Sequence, residues 1–103
     1  MTVPASAAPV VVYEGPAFSS PAAVASARYG REPLVRVRLP DREDVDAMAS
    51  RWSASHVLVS WQDVDGGPML SAWVPGEWVQ RIEPDAARWR PPAGRDPMPW
   101  RDH

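Results

Sequence analysis

Residues 55–75, SHVLVSWQDVDGGPMLSAWVP, decide the fold, because two runs that suit β-strands flank the pair Asp65-Gly66. An Asp-Gly pair between alternating apolar residues is a strong signal for a hairpin with a two-residue turn. Such a turn fixes which residues face each other across the two strands. The predicted pairs are Trp61 with Leu70, Val59 with Ala72, and Val57 with Val74.

This register sorts the side chains of the hairpin onto two faces. One face is entirely apolar and carries Val57, Val59, Trp61, Leu70, Ala72 and Val74. The other face is mostly polar and carries His56, Leu58, Ser60, Gln62, Met69, Ser71 and Trp73. A slip of one residue in either strand would mix the two sets, which supports the register. We therefore expect Trp61 in the core and Trp73 on a face that no core helix covers.

Other segments predict further strands of the same sheet. Residues 34–39, LVRVRL, alternate between apolar and charged, which places Arg36 and Arg38 on the side opposite the core. The run VVVYEG, residues 10–15, predicts a short strand. Residues 77–83, EWVQRIE, resume the sheet after a Pro-Gly break, and we expect Trp78 in the core.

Two segments carry the signals of helices. In residues 41–53, Asp41 suits the N-cap. The apolar stripe at helical spacing consists of Val45, Met48, Ala49 and Trp52. In residues 21–29, Ser20 suits an N-cap and Pro21 the first helical position. The sequence therefore predicts a main helix over 41–53 and a shorter one over 21–29.

These elements predict a single α+β domain over residues 10–84, with a mainly antiparallel sheet and one or two helices packed on one face. Residues 1–9 are small and contain proline, which favours a flexible arm. Residues 85–103 are rich in Pro, Arg and Trp and predict an extended tail, partly polyproline-like.

Composition excludes several classes of protein. The 103 residues include no Cys, so a disulfide scaffold and thiolate metal sites are excluded. The net charge of −2 argues against general affinity for nucleic acid. All 11 basic residues are Arg, which indicates a GC-rich genome. The N-terminal residues lack a signal-peptide pattern and no run is long enough to span a bilayer, so we expect a cytoplasmic protein without membrane contact.

No pattern of catalytic residues stands out. The two histidines are His56, which begins a strand and is expected at the surface, and His103 at the end of the tail. Nucleophile-elbow and phosphate-binding glycine patterns are absent, and the acidic run 41–46 has no second cluster at metal-ligand spacing. We therefore expect a non-enzymatic protein with no metal, no cofactor and no small-molecule substrate.

The segment WQDVDGGPMLSAWVPGEWVQRI, residues 61–82, resembles the C-terminal strands of an SH3 domain. Trp61, Pro75 and Trp78 match the aromatic, the proline and the second aromatic that line the peptide groove of that family. The resemblance implies an SH3-like small β-barrel as the alternative fold. It also implies binding of proline-rich peptides, which the chain's own residues 88–100, RWRPPAGRDPMPW, could supply.

The predicted polar face of the sheet is the candidate working surface. Arg36 and Arg38 emerge there beside Trp73, with Arg81 joining them, and arginine beside tryptophan is typical of protein-binding hot spots. The full predicted partner-binding set is Trp73, Arg36, Arg38, Arg81, Met69, Trp89, Arg90 and Trp100. The sequence thus predicts an adaptor or regulatory protein that binds a protein partner or itself. The alternative is a small nucleic-acid-binding protein that uses arginine and tryptophan for phosphate contacts and stacking.

Overall fold

A computed structural model describes residues 10–28 and 30–91 and arranges them around one mixed sheet of seven strands. The strands are β1 (Val11–Val12), β2 (Ala25–Ser26), β3 (Leu34–Val37), β4 (Val45–Trp52), β5 (His56–Trp61), β6 (Leu70–Pro75) and β7 (Val79–Arg81). Single 3₁₀ turns span Pro21–Ala23, Gly76–Trp78 and Pro84–Ala86.

The strand order across the sheet is β1-β6-β5-β4-β3-β7. Strands β3 to β6 follow one another in antiparallel succession, and β7 returns to pair with β3. Strand β1 lies parallel to β6. Strand β2 pairs with the last two residues of β4, beyond the end of β3.

The hairpin forms in the predicted register. Trp61 faces Leu70, Val59 faces Ala72 and Val57 faces Val74. The turn closes where Gly67 N–H donates to the carbonyl oxygen of Val64 at 3.0 Å. Gly66 has φ of 77°, a conformation that a side chain would strain. The prediction from the Asp-Gly pair is confirmed.

The predicted α+β class is wrong, because residues 41–53 form no helix. Residues 45–52 are strand β4, and Val45 to Met48 are buried on both faces of the sheet. In a strand whose two faces are both covered, apolar and polar residues do not alternate. The periodicity of the sequence then cannot distinguish such a strand from a buried helix. The helical spacing of its apolar residues was therefore coincidental.

The helix predicted over 21–29 is also wrong. Only Pro21–Ala23 form a 3₁₀ turn, and the Ser20 side chain makes no capping hydrogen bond. The chain then becomes extended at Val24, and Ala25 and Ser26 pair with the end of β4. Sheet pairing outweighs the local helix preference here, and no α-helix occurs in residues 10–28 or 30–91.

The core lies on one side of the curved sheet. It contains the inward residues predicted for the hairpin and for β3, including Trp61, which is 6% exposed. The rings of Tyr13, next to β1, and Trp78, next to β7, meet with centroids 5.5 Å apart, and both pack on the core. The two ends of the sheet therefore approach each other.

His56 is buried, contrary to the surface position expected from sequence. Its Nε2 lies 2.8 Å from the carbonyl oxygen of Tyr13 and 3.1 Å from that of Glu14. Because a carbonyl can only accept, Nε2 donates to it, and Nδ1 lies 2.7 Å from the Ser55 hydroxyl oxygen. His56 thus ties the segment after β1 to the sheet.

Candidate functional site

A β-bulge in β4 creates a row of three side chains on the face opposite the core, which we call the outer face. Ala49 pairs with Val59, but Arg51 pairs with the next residue back, Leu58, so Ser50 is an extra residue in β4. The bulge turns Arg51 outward. Leu58 in turn faces Trp73 across β5 and β6. Arg51, Leu58 and Trp73 therefore lie side by side across three strands.

The segment that precedes β2 packs beside Arg51, Leu58 and Trp73. The ring of Phe18 packs on Trp73 with centroids 5.3 Å apart and a tilt of 57°. Phe18 is 39% exposed, whereas Trp73 is 8% exposed. Ser26 of β2 pairs with Arg51, so the same segment also borders these three residues at the Arg51 end.

Two adjoining clefts lie between this segment and the three side chains. One has a volume of about 230 Å³ and is lined by Phe18, Pro21, Val24, Ser26, Arg51 and Trp73. The other has a volume of about 350 Å³ and is lined by Ser26, Ala27, Glu32, Ser50, Arg51 and Leu58. They share Ser26 and Arg51, so we treat them as one feature and call it the outer groove.

Two polar groups in the outer groove lack a partner among the residues that the structure describes. The Arg51 side chain is exposed and makes no ion pair or hydrogen bond with them. The indole N–H of Trp73 also donates to none of them, in contrast to those of Trp61 and Trp89. A tryptophan N–H usually has an acceptor when its ring is buried, so this group suits a carbonyl supplied by a ligand.

A second polar cluster on the outer face is fully satisfied and centres on Asp46. The Arg36 guanidinium donates to both carboxylate oxygens, from Nε at 2.8 Å and from Nη2 at 3.2 Å. The Arg88 backbone N–H donates to Oδ2 at 2.6 Å. The Asp46 side chain is only 1% exposed. These hydrogen bonds, first those of Arg36, hold the pKa of Asp46 well below its ordinary value.

The first part of the tail packs on the sheet through this cluster. Besides Arg88, the carbonyl oxygen of Ala86 accepts from Arg36 Nη2 at 3.1 Å. The Trp89 indole donates to the Gln62 side chain at 3.3 Å. The start of the tail therefore lies on the outer face of its own chain, up to Trp89.

The structure does not assemble the predicted arginine–tryptophan patch. Trp73 is buried beneath Phe18, so the expected exposed indole is wrong, although its role in binding stays a prediction. Arg36 is occupied by Asp46. Arg81 faces Val35 across β7 and β3, which places it on the opposite face from Arg36.

The other predicted residues are scattered. Arg38 is exposed without a side-chain partner in the described part of the chain, Met69 is half-buried near the hairpin turn, and Arg90 donates to the Pro84 carbonyl oxygen. Trp89 packs against the sheet as stated above, and Trp100 lies outside the described residues.

Sequence reasoning missed Phe18 and Arg51. Phe18 belongs to an irregular segment with no periodicity, so nothing local indicated that it would cover Trp73. Arg51 was placed in the last turn of the predicted helix. Its true orientation depends on the bulge, which leaves no mark in the sequence. The SH3 resemblance also placed Trp61 and Pro75 in a groove, but both are buried.

No helix within residues 10–28 and 30–91 has the length and apolar character needed to cross a bilayer. The same residues contain no group of three or more His, Asp or Glu side chains arranged to hold a metal ion. Comparisons with models of protein families, with curated proteins and with solved structures find no match to this chain.

Proposed function

We propose that this is a non-enzymatic interaction protein that binds an extended peptide carrying a carboxylate in the outer groove. One observation carries the proposal: two residues that line the groove bear a guanidinium and an indole N–H that the described part of the chain leaves without partners. The two groups belong to Arg51 and Trp73. A cation and a hydrogen-bond donor together match a side-chain carboxylate and a peptide carbonyl.

The rest of the groove suits apolar side chains of such a peptide. Phe18 offers an exposed ring, and Pro21, Val24 and Leu58 add apolar surface. Aromatic rings and proline stack well on surfaces of this kind, and a central apolar contact with a charged rim is the usual anatomy of a binding site. The ligand we expect is therefore an extended segment with an Asp or Glu near prolines or an aromatic residue.

The SH3-like fold and a cytoplasmic location remain parts of this proposal. Support for the fold comes from the order of the last elements: β6 ends at Pro75, the 3₁₀ turn Gly76–Trp78 follows, and short β7 returns to β3. The resemblance implies a strand, a Pro-x-x-aromatic step and a short final strand, and β6, the step from Pro75 to Trp78 and β7 follow this order. The peptide site proposed here is nevertheless on the outer face and not at Trp61.

Single-stranded nucleic acid is the rival ligand, because Phe18 and Arg51 could stack on a base and pair with a phosphate. The pairing of charged groups argues against nucleic acid, because several arginines that could bind phosphate are already paired with aspartates. Asp46 pairs with Arg36 and Arg88, and Asp63 pairs with Arg42 at 2.8 Å. Nucleic-acid affinity falls steeply with added salt, whereas a peptide held by one ion pair should weaken only slightly. Tight, steeply salt-dependent binding of an oligonucleotide would favour the rival.

A panel of blocked six-residue peptides tests the proposal by calorimetry. Each peptide places one Asp between prolines and a Trp, and its matched partner has Asn instead. We expect the Asp peptides to bind the full chain about tenfold more tightly than the Asn peptides, since one charge-assisted pair is lost. The Arg51→Gln variant should remove this preference. Arg38→Gln, another exposed arginine without a side-chain partner in the described range, should keep it. Equal loss in both variants would contradict the assignment of the groove.

A further inference from the structure

We propose that the outer groove is occupied in cis by residues 92–103 of the same chain, with Asp96 paired to Arg51 and Trp100 packed near Phe18. This inference rests on the proposed function of the groove and names its resident ligand. Residues 95–102, RDPMPWRD, contain the chemistry that the groove selects: a carboxylate followed by two prolines and an indole. An external partner would then have to displace the tail.

The described chain ends beside a route into the groove. Pro91 lines a third cleft of about 310 Å³, which Glu32 also lines. Glu32 therefore borders both the cleft at Pro91 and the part of the outer groove that contains Arg51.

The length of chain beyond Pro91 fits this route. A polyproline-like segment advances about 3.1 Å per residue, so Asp96 can lie about 15 Å and Trp100 about 28 Å from Pro91. The described molecule measures 42 × 36 × 28 Å, so these reaches are on the scale of one of its faces. This scale suits binding of Asp96 to Arg51 within one chain.

The Asp46 cluster supplies the anchor that makes binding in cis favourable. Arg88 is fixed to buried Asp46, and Arg90 donates to Pro84, so the tail leaves the sheet from a defined position. A short tether from a fixed point gives the attached segment an effective concentration in the millimolar range. A weak peptide motif then fills the groove and lowers the apparent affinity for external peptides.

Spin labelling of the full chain tests this inference. The chain has no Cys, so Met98→Cys gives a single attachment site between the two anchors. We expect the label to broaden the NMR signals of Arg51, Leu58 and the Trp73 indole, and the broadening to vanish when the label is reduced. A label at Val64→Cys, exposed at the hairpin turn, is the matched control and should leave these signals sharp.

Mixing distinguishes cis from trans. A sample of unlabelled ¹⁵N chain with spin-labelled ¹⁴N chain should show no broadening in the groove, and broadening there would overturn binding in cis in favour of a second copy. The double variant Asp96→Asn with Trp100→Ala should bind an added Asp-containing peptide about tenfold more tightly than the native chain.

Failure of this inference and failure of the proposed function give different results. If the Met98 label leaves the groove signals sharp and the double variant binds the peptide no better, the tail does not occupy the groove, although Arg51-dependent peptide binding stands. If neither the native chain nor the double variant binds any Asp peptide, the proposed function itself is overturned.

Discussion

Asp46 is a carboxylate at the centre of the outer face, and its environment explains why a charged residue is tolerated in a buried strand. It lies directly across from Arg36 in the pairing of β3 and β4, so the ion pair follows from strand register. The backbone N–H of Arg88 takes up a remaining lone pair. A buried charge is stable only when it is paired and hydrogen-bonded in this way. In the sequence, Asp46 falls within the helix predicted over 41–53, and its partners Arg36 and Arg88 lie far away along the chain.

Replacing Asp46 with Asn should destabilise the protein by about 2 kcal/mol, because charge-assisted hydrogen bonds to Arg36 and Arg88 are lost from a buried position. Urea unfolding measures the change in the free energy of unfolding. Asp44→Asn, two residues earlier and exposed, is the matched control and should change it by less than about 0.5 kcal/mol. A loss of equal size in both variants would contradict the described role of Asp46.

The same contribution should depend on pH with a defined sign. A carboxyl group whose pKa is lowered in the folded state stabilises that state above its unfolded pKa of about 3.9, and loses this contribution as the pH falls further. The stability difference between the native chain and Asp46→Asn should therefore be constant from pH 7 to pH 5 and shrink below about pH 4. A difference that grows on acidification would contradict the described ion pair.

Strand β4 is the element on which prediction and structure differ most. The alternation of apolar and polar residues correctly predicted β3 and the hairpin, because one face of each bears mainly polar residues. In the hairpin, a local turn also sets the register. It failed for residues 45–49, because both faces are covered: the core lies on one side, and the docked tail and neighbouring outer-face residues lie on the other. The outer groove depends on a bulge in this strand and on a distant loop, so local patterns did not reveal it.

A substitution at Ala47 distinguishes strand β4 from the helix predicted over the same residues. It lies off the apolar stripe of the predicted helix, yet it is 0% exposed in β4. Ala47→Asp should therefore cost more than about 3 kcal/mol, because it buries an unpaired charge, and Ala47→Ser should cost about 1 kcal/mol. Ala54→Asp, in the exposed loop after β4, should be nearly neutral. If thermal denaturation shows Ala47→Asp to be as stable as Ala54→Asp, the strand assignment fails.

At the scale of the whole molecule, the single sheet has an inner face that packs into the core and an outer face that carries polar groups. The inner face closes when Tyr13 and Trp78 meet, and His56 holds the β1 segment in place. The outer face is divided between the Asp46 cluster, which Arg36 and the tail satisfy, and the outer groove, where the Arg51 guanidinium and the Trp73 indole N–H have no partner among the described residues. The sequence-based choice of the outer face as the working surface stays a prediction, now centred on Phe18, Arg51 and Trp73.

The NMR signal of the Trp73 indole N–H tests the central claim most directly, because this donor has no partner in the described part of the chain and is the group that the ligand is expected to satisfy. The signal is assigned by its loss in Trp73→Phe and followed while the Asp peptide is added to the full chain and to the Asp96→Asn, Trp100→Ala variant. The account predicts a saturable downfield shift and slower exchange with solvent, both abolished in Arg51→Gln and kept in Arg38→Gln. Saturable peptide binding that leaves this signal unchanged would contradict a ligand site in the outer groove.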